Sequence, residues 1–425
     1  MSKKALPSIN LRNNFLKILF LVLLTLAAFI ASKKYFSYDI DIFYRYSLNI
    51  IQGKVPYRDF SVEYPPLALL PIVFPQLLNS VLIGSYRGYE LLFYIQNLLL
   101  IFFIGISVQA IVSDCRFKEL SHYILLFYLL LILLVGRHVL VYFDSFPALL
   151  TMLALLATVK SRPSLCGVAL ACGAAAKLYP VILLPVFSLS YISKKRYSWL
   201  LKLLGAFFST TLLLLSIFSP FGLNNVFRFL EYHKLRGLEI ESIPAGILFL
   251  AHKLGWIKLH LESNYGAIHL NRSLLTERII GLLPPIFLLF FLLAMISISM
   301  CLRIRENNDV NNIDISNYKI LIIGIILAIL IFIISNKVFS PQYLIWLLPF
   351  IPFLKRGQIA LFAIICILTV LICPILFGEL MNMELLPIIL LNCRNALMIL
   401  LTLWLILENF MNSGLSFCKS SSLTE

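Results

Sequence analysis

Charge is scarce in this chain: of 425 residues only 13% are Asp, Glu, Lys or Arg, and the acids number 20. An ordinary soluble domain carries about 25% charged residues, so this surface is not built for water alone. The short signatures of soluble catalysis are also missing. There is no GxxxxGK[ST] phosphate loop, which argues against an ATP-driven pump, and there is neither a GxSxG nucleophile turn nor an HExxH zinc helix. The eight cysteines show no zinc-type pairing, and most lie inside apolar runs, where Cys behaves as a small hydrophobe. No group of residues has metal-ligand spacing, so neither a metal nor another cofactor is expected. Tandem short-period repeats are absent too, as is any gap between apolar runs long enough for a soluble domain.

What fills the chain is hydrocarbon. Hydrophobic residues make up 60% and mean hydropathy is +0.94, with membrane-length runs recurring from Phe15 almost to Phe410. The expected fold is an all-α polytopic transmembrane bundle of about 12 spans. It forms one integral domain over residues 1–410, with 411–425 as a cytoplasmic tail. The spans fall at 14–31, 89–112, 122–135, 146–159, 164–176, 178–192, 199–219, 279–302, 320–335, 341–354, 358–377 and 395–409. A net charge of +15 suggests nucleic acid at first sight, but the cations sit in short clusters between apolar runs, as the positive-inside bias requires. The bilayer, not nucleic acid, is the expected partner. The N-terminus resembles a signal peptide with a cut near Ala31, but its apolar stretch is long for one. An uncleaved first helix is expected, with Lys3, Lys4, Arg12 and Lys17 in the cytoplasm.

Orientation follows from the clusters Arg116/Lys118, Lys160/Arg162, Lys194/Lys195/Arg196, Arg303/Arg305 and Lys355/Arg356, all expected on the cytoplasmic side. Counting 67–83 as a full crossing would put Lys160 and Arg162 outside. That segment carries Pro71 and Pro75 behind Pro65-Pro66, so it is read as re-entrant or interfacial. Outward segments are then 32–66, 136–145, the turn at Lys177, 220–278, 336–340 and 378–394. Within 220–278, NVFRFLEYHKLRGLEI and AGILFLAHKLGWIKL have the mixed apolar and basic faces of interfacial helices. RENNDVNNIDISN and the Ser-rich tail look disordered.

Polar chemistry collects on the outward side. Asp39 and Asp41 follow the first span, and carboxylates beside aromatic residues at a membrane surface serve as general bases when they are not merely solvated loop acids. Lys177, in AAAKLYP, sits where two short apolar arms turn, with small neighbours that leave room for a phosphate headgroup; a snorkelling interfacial lysine is the plain alternative. VGRHVLVYFDSF offers Arg137, His138 and Asp144, of which the arginine and aspartate can pair with each other. SNKVFSPQYLIWLLPF offers Lys337, Gln342 and Tyr343, although Tyr343 with Trp346 would also make an ordinary aromatic belt.

Taken in order, DIFY (Asp41 to Tyr44), QGKVPY (Gln52 to Tyr57), EYPPL (Glu63 to Leu67), AAAKLYP (Ala174 to Pro180) and SPQYLIWLLP (Ser340 to Pro349) resemble the polytopic glycosyltransferases of the C superfold. The likeness is greatest to family 87, the polyprenyl-phosphate-sugar-dependent mannosyl- and arabinofuranosyltransferase-like proteins. It runs from Asp39 to Pro349, and the last spans carry little of it. The resemblance implies transfer of a hexose or pentose, mannose first, from a polyprenyl-phosphate donor to a glycan or glycolipid acceptor. The reaction would proceed with inversion at the outer face of the cell membrane. It implies Asp41 as the general base with Asp39 in reserve, and Lys177 on the leaving lipid phosphate. Arg137 and His138 join the phosphate group on topology alone, and the groove is expected to include Tyr44, Tyr57, Glu63, Tyr64, Gln342 and Tyr343. Two other readings stand beside this one: a lipid-linked glycan flippase or exporter, which would also keep cations for phosphate, and a structural subunit of an envelope complex. Polar residues concentrated on one side favour the enzyme, and no internal repeat favours the carrier.

Overall fold

The computed structural model describes residues 15–20, 38–114, 121–219, 222–308 and 313–421. Among them, six helices are long and apolar enough to cross a membrane: Tyr86–Asp114, Tyr197–Phe218, Leu274–Arg303, Asn317–Ile334, Arg356–Ile375 and Leu385–Met411. At 1.5 Å per residue an 18-residue helix is about 27 Å long, close to the thickness of a hydrocarbon core. Leu274–Arg303 turns Leu282, Leu288, Leu289 and Leu292 outward, as a lipid-facing helix does, whereas the Asn317–Ile334 stretch is mostly buried inside the protein. The first expected span is described only at residues 15–20, which are helical; the rest of it lies outside the described residues, as do Ala31, Arg116 and Lys118.

Shorter apolar helices fill the gaps. Ser145–Val159 and Pro163–Ala176 form an antiparallel hairpin, and the latter packs against Tyr197–Phe218. Gly167 permits that contact, because a Cβ there would collide with the backbone of Leu203. Two expectations meet a different backbone. Segment 341–354 is not a regular α-helix: Pro341, Pro349 and Pro352 remove ladder donors, and the chain runs from the cavity to Lys355 through the buried 3₁₀ turns Pro341–Trp346 and Ile351–Phe353. The tail from 411 to Ser421 continues the Leu385–Ser421 helix.

Segment 67–83 becomes the 3₁₀ turn Pro66–Ala68 and the helix Leu69–Leu82, which at 14 residues is about 21 Å long and too short to cross. It buries Ile72, Gln76 and Asn79 and exposes Leu70, Phe74, Leu77 and Val81. Segment 220–278 contains the helices Arg228–Leu235 and Ile243–Lys253 in the regions read as interfacial. It also contains a small antiparallel sheet that the hydropathy pattern did not announce, with strands β1 (Leu238–Glu239), β2 (Leu261–Asn264) and β3 (Ala267–Leu270) in the order β1-β3-β2. Tyr265 and Gly266, at φ of 47° and 67°, make the tight turn between β2 and β3.

Side-chain pairs show how the basic clusters are arranged. Lys160 bonds Asp114 at 2.7 Å, Lys194 lies over the Tyr318 ring, Arg356 lies over Tyr123, and Lys355 pairs with Glu408 at 2.9 Å. These contacts gather at the end of the bundle opposite Asp144 and Lys177, which occupy the other end of the 145–176 hairpin. The cavity end carries cations of its own, Arg137, Lys177, Arg236 and Lys337, but there they stand among acids and aromatic rings.

Candidate functional site

Three apolar clusters meet around a cavity of about 760 Å³. One is the main bundle core, with Trp346; the second lies under the small sheet, with Ile240; the third contains Phe43, Phe93 and Phe143. Most of the lining comes from helix ends and connections. There, side chains can turn inward without breaking an apolar helix face.

Lys177 ends the Pro163–Ala176 helix in an extended conformation; Pro180 could not continue that helix, because it has no N–H for the Ala176 carbonyl four residues back and its ring would clash there. Asp144 immediately precedes the Ser145–Val159 helix, so the hairpin brings the two together. Lys177 Nζ donates to Asp144 Oδ1 at 2.6 Å, and Trp346 Nε1 donates to the same oxygen at 2.6 Å. The ammonium also lies 5.2–5.9 Å from the ring centroids of Tyr64, Phe143, Tyr343 and Trp346. Trp346 is sandwiched between Tyr179 and Tyr343, each 4.2 Å away. An aromatic cage with one carboxylate holds a cation in place while leaving its remaining N–H donors for a ligand.

The stretch VPYRDFSVEYPPL is a brace. Asp59 accepts the backbone N–H of Val55 at 2.7 Å and pairs with Arg58 at 2.9 Å, and the buried Tyr57 hydroxyl donates to the Tyr64 carbonyl at 2.8 Å. The brace delivers Glu63 and Tyr64 to the cavity. Glu63 Oε2 bonds Arg236 Nη2 at 3.0 Å, and Arg236 also donates to the Tyr265 carbonyl at 2.8 Å. Burial pushes the Glu63 carboxyl up, with Arg236 opposing.

Asp39 and Asp41 both lie in the first turn of the Tyr38–Ile51 helix, but a two-residue step rotates them about 200° apart. Asp39 lines the cavity; Asp41 does not, and pairs with the exposed Arg45 one turn on at 2.6 Å. Enclosure by protein pushes the Asp39 carboxyl up to about 7, and the neighbouring Glu63 charge adds to the rise.

Of the other expected site residues, Glu63, Tyr64, Arg137, His138, Lys177, Gln342 and Tyr343 line the cavity with Asp39. Tyr44 and Tyr57 do not. Tyr44 packs between Tyr86 and Tyr89 with centroids at 5.2 Å, and Tyr57 serves the brace. His138 and Gln342 each keep one buried side-chain atom, Nδ1 and Oε1, without a hydrogen-bond partner. Asp144, read as a mate for Arg137, instead bonds Lys177 and Trp346.

Sequence reasoning missed Arg236, Glu239 and Glu241 in the cavity wall, and Arg394 behind it. Arg394 carried a usable signal, being a lone charge within the apolar run LLPIILLNCRNALMILL, and intramembrane charges are seldom idle. It is fully buried, donates to the Glu241 carbonyl and stacks over Phe339 at 3.9 Å. Lys337 also lines the cavity, donating to the carbonyls of Lys234 at 3.0 Å and Arg236 at 2.6 Å. Burial lowers its ammonium to about 8, with the Arg272 charge adding to the fall.

The arrangement can therefore hold a phosphate against cations and offer a carboxyl as a base beside it. No protein-family model matches the chain, and no curated protein matches it either.

Proposed function

We propose that the protein is an integral-membrane glycosyltransferase that takes a sugar, mannose first, from a polyprenyl-phosphate donor and passes it to a glycan or glycolipid hydroxyl. Its cavity faces the outside of the cell membrane, and its termini lie in the cytoplasm. One observation carries this reading: Asp39, Glu63-Tyr64, Lys177 and Gln342-Tyr343, scattered through the sequence within or beside the motifs of the resemblance, line a single cavity.

Asp39 is the general base. Its carboxyl faces the cavity and is held near neutrality, where a base is both available and strong enough to act. It takes the acceptor proton as that oxygen attacks the anomeric carbon, and the phosphate leaves from the opposite side, which inverts the configuration. Lys177 and Arg137 offset the charge that grows on the departing phosphate; preorganised charge in a water-poor site contributes several kcal/mol. Asp41, paired with Arg45 outside the cavity, does not touch the reactants.

The test uses full-length protein in lipid nanodiscs with a panel of polyprenyl-phosphate sugars and acceptors, following release of polyprenyl phosphate by mass spectrometry. Asp39→Asn should lower turnover about 10²- to 10⁴-fold with donor binding kept, and Asp41→Asn should stay within a few fold of wild type. Equal turnover by Asp39→Asn would remove it as the base. Movement of donor between leaflets without release would replace the transferase with a carrier.

A further inference from the structure

Two acids in the cavity wall are not used by the chemistry above. Glu239 and Glu241 are 5% and 4% exposed, and the intervening Ile240 belongs to the apolar cluster beneath the sheet. Glu239 ends β1 and Glu241 sits in the turn that follows, closed by the Ser242 N–H on the Glu239 carbonyl at 3.0 Å, and both residues line the same cavity wall. Glu239 is anchored through its side chain and Glu241 through its backbone carbonyl, which accepts from Arg394 Nη2, and each keeps a buried side-chain oxygen without a hydrogen bond. Glu239 Oε1 accepts from Ser340 Oγ at 2.9 Å, while Oε2 is buried without a partner. Glu241 Oε1 also has no hydrogen bond: its ion-pair partner Arg394 Nη1 lies 3.7 Å away, beyond bonding distance, and is itself without an acceptor.

Buried acceptor oxygens without donors cost free energy unless a ligand supplies the donors. Charge decides what kind of donor. The cavity lining already balances the acids Asp39, Glu63, Glu239 and Glu241 with the cations Arg137, Lys177, Arg236 and Lys337, and Arg394 lies behind it, so the region calls for hydrogen-bond donors rather than another cation. We propose that Glu239 and Glu241 form a hydroxyl-reading subsite that binds neighbouring hydroxyls of a carbohydrate ring through Glu239 Oε2 and Glu241 Oε1. This rests on the transferase reading for its meaning, but not for its test. A carboxylate that accepts from a sugar hydroxyl discriminates sharply against the deoxy analogue, because losing the donor leaves the oxygen buried and bare again.

Full-length protein in nanodiscs is titrated calorimetrically with methyl glycosides of common hexoses and pentoses, beginning with methyl α-mannoside, and with the single-deoxy analogue of each glycoside that binds. Wild type should bind at least one glycoside, and one deoxy analogue should bind about 10- to 100-fold more weakly. Glu239→Gln and Glu241→Gln, which keep side-chain shape, should each weaken binding about as much and flatten the deoxy penalty, while Asp41→Asn, paired with Arg45 outside the cavity, binds as wild type does. Displacement of the glycoside by polyprenyl-phosphate sugar assigns the subsite to the donor ring; simultaneous binding assigns it to the acceptor ring. Unchanged affinity in both glutamine variants, or no binding of any glycoside by wild type, overturns the subsite. Release of polyprenyl phosphate is scored separately, so sugar binding can stand where transfer fails, and the reverse.

Discussion

The choice between Asp39 and Asp41 has a sharp consequence for pH. A base works ionised, so turnover per bound substrate should rise with pH, reach half its plateau near 7, and lose that limb in Asp39→Asn; a stopped assay across pH 5–9 reads it. The same shift bears on stability. Because the folded carboxyl sits above its ordinary value of 3.8, the favourable contribution is complete below about 4 and is lost as pH rises through about 7. Asp39→Asn should therefore raise the melting temperature more at pH 8 than at pH 5. Lys177 and Asp144 make a second case. With side chains only 13% and 2% exposed, the pair is costly to break from one side: Asp144→Ala alone should destabilise the protein by roughly 3–5 kcal/mol. The double variant Asp144→Asn, Lys177→Met should recover more than half of that in detergent melts, since it leaves no buried charge unmatched.

The small sheet explains why an apparently irregular loop matters. Its β2–β3 turn needs two residues with positive φ, and at the second a side chain would come 3.2 Å from the Tyr232 hydroxyl and 3.3 Å from Glu63 Oε2. Gly266→Ala should therefore cost about 1–3 kcal/mol in backbone strain and also disturb Glu63. Gly53→Ala is the control: its φ is +84° but nothing lies within 4 Å, so it pays strain alone. A larger fall in melting temperature for Gly266→Ala, with a changed pH profile only there, would separate contact from strain. The sequence shows Tyr-Gly between the short segments LESN and AIHL and little else, because strands of two to four residues leave too few positions for an alternating pattern.

The bundle has two chemically different ends, and this can be read in intact cells. With native cysteines replaced, Tyr38→Cys at the cavity end should react with a membrane-impermeant maleimide from outside, and Lys195→Cys at the basic end only after permeabilisation. Labelling of both from the same side would break the orientation that places the cavity outside. The apolar exposed faces of Leu274–Arg303 and Tyr197–Phe218 agree with lipid on that flank, where bare leucine and phenylalanine cost nothing.

Membrane class, the helical character of most of the chain, the turn at Lys177 and the shortness of 67–83 were legible from local properties: run length, proline position and the clustering of cations. Each depends on residues within a few turns of one another, so a linear reading contains them. The prolines of 341–354 were equally visible, yet high hydropathy outweighed them in a reading by composition, and the fold made buried 3₁₀ turns where a regular helix was expected. The working set of the site depended on the fold. Helix phase, not sequence proximity, turned Asp39 into the cavity and Asp41 toward Arg45. The Glu63–Arg236 pair joins residues 173 apart, and Glu239 meets Ser340 across 101. Nothing local specifies such partners, because what brings them together is the burial of three separate apolar clusters around the space they line.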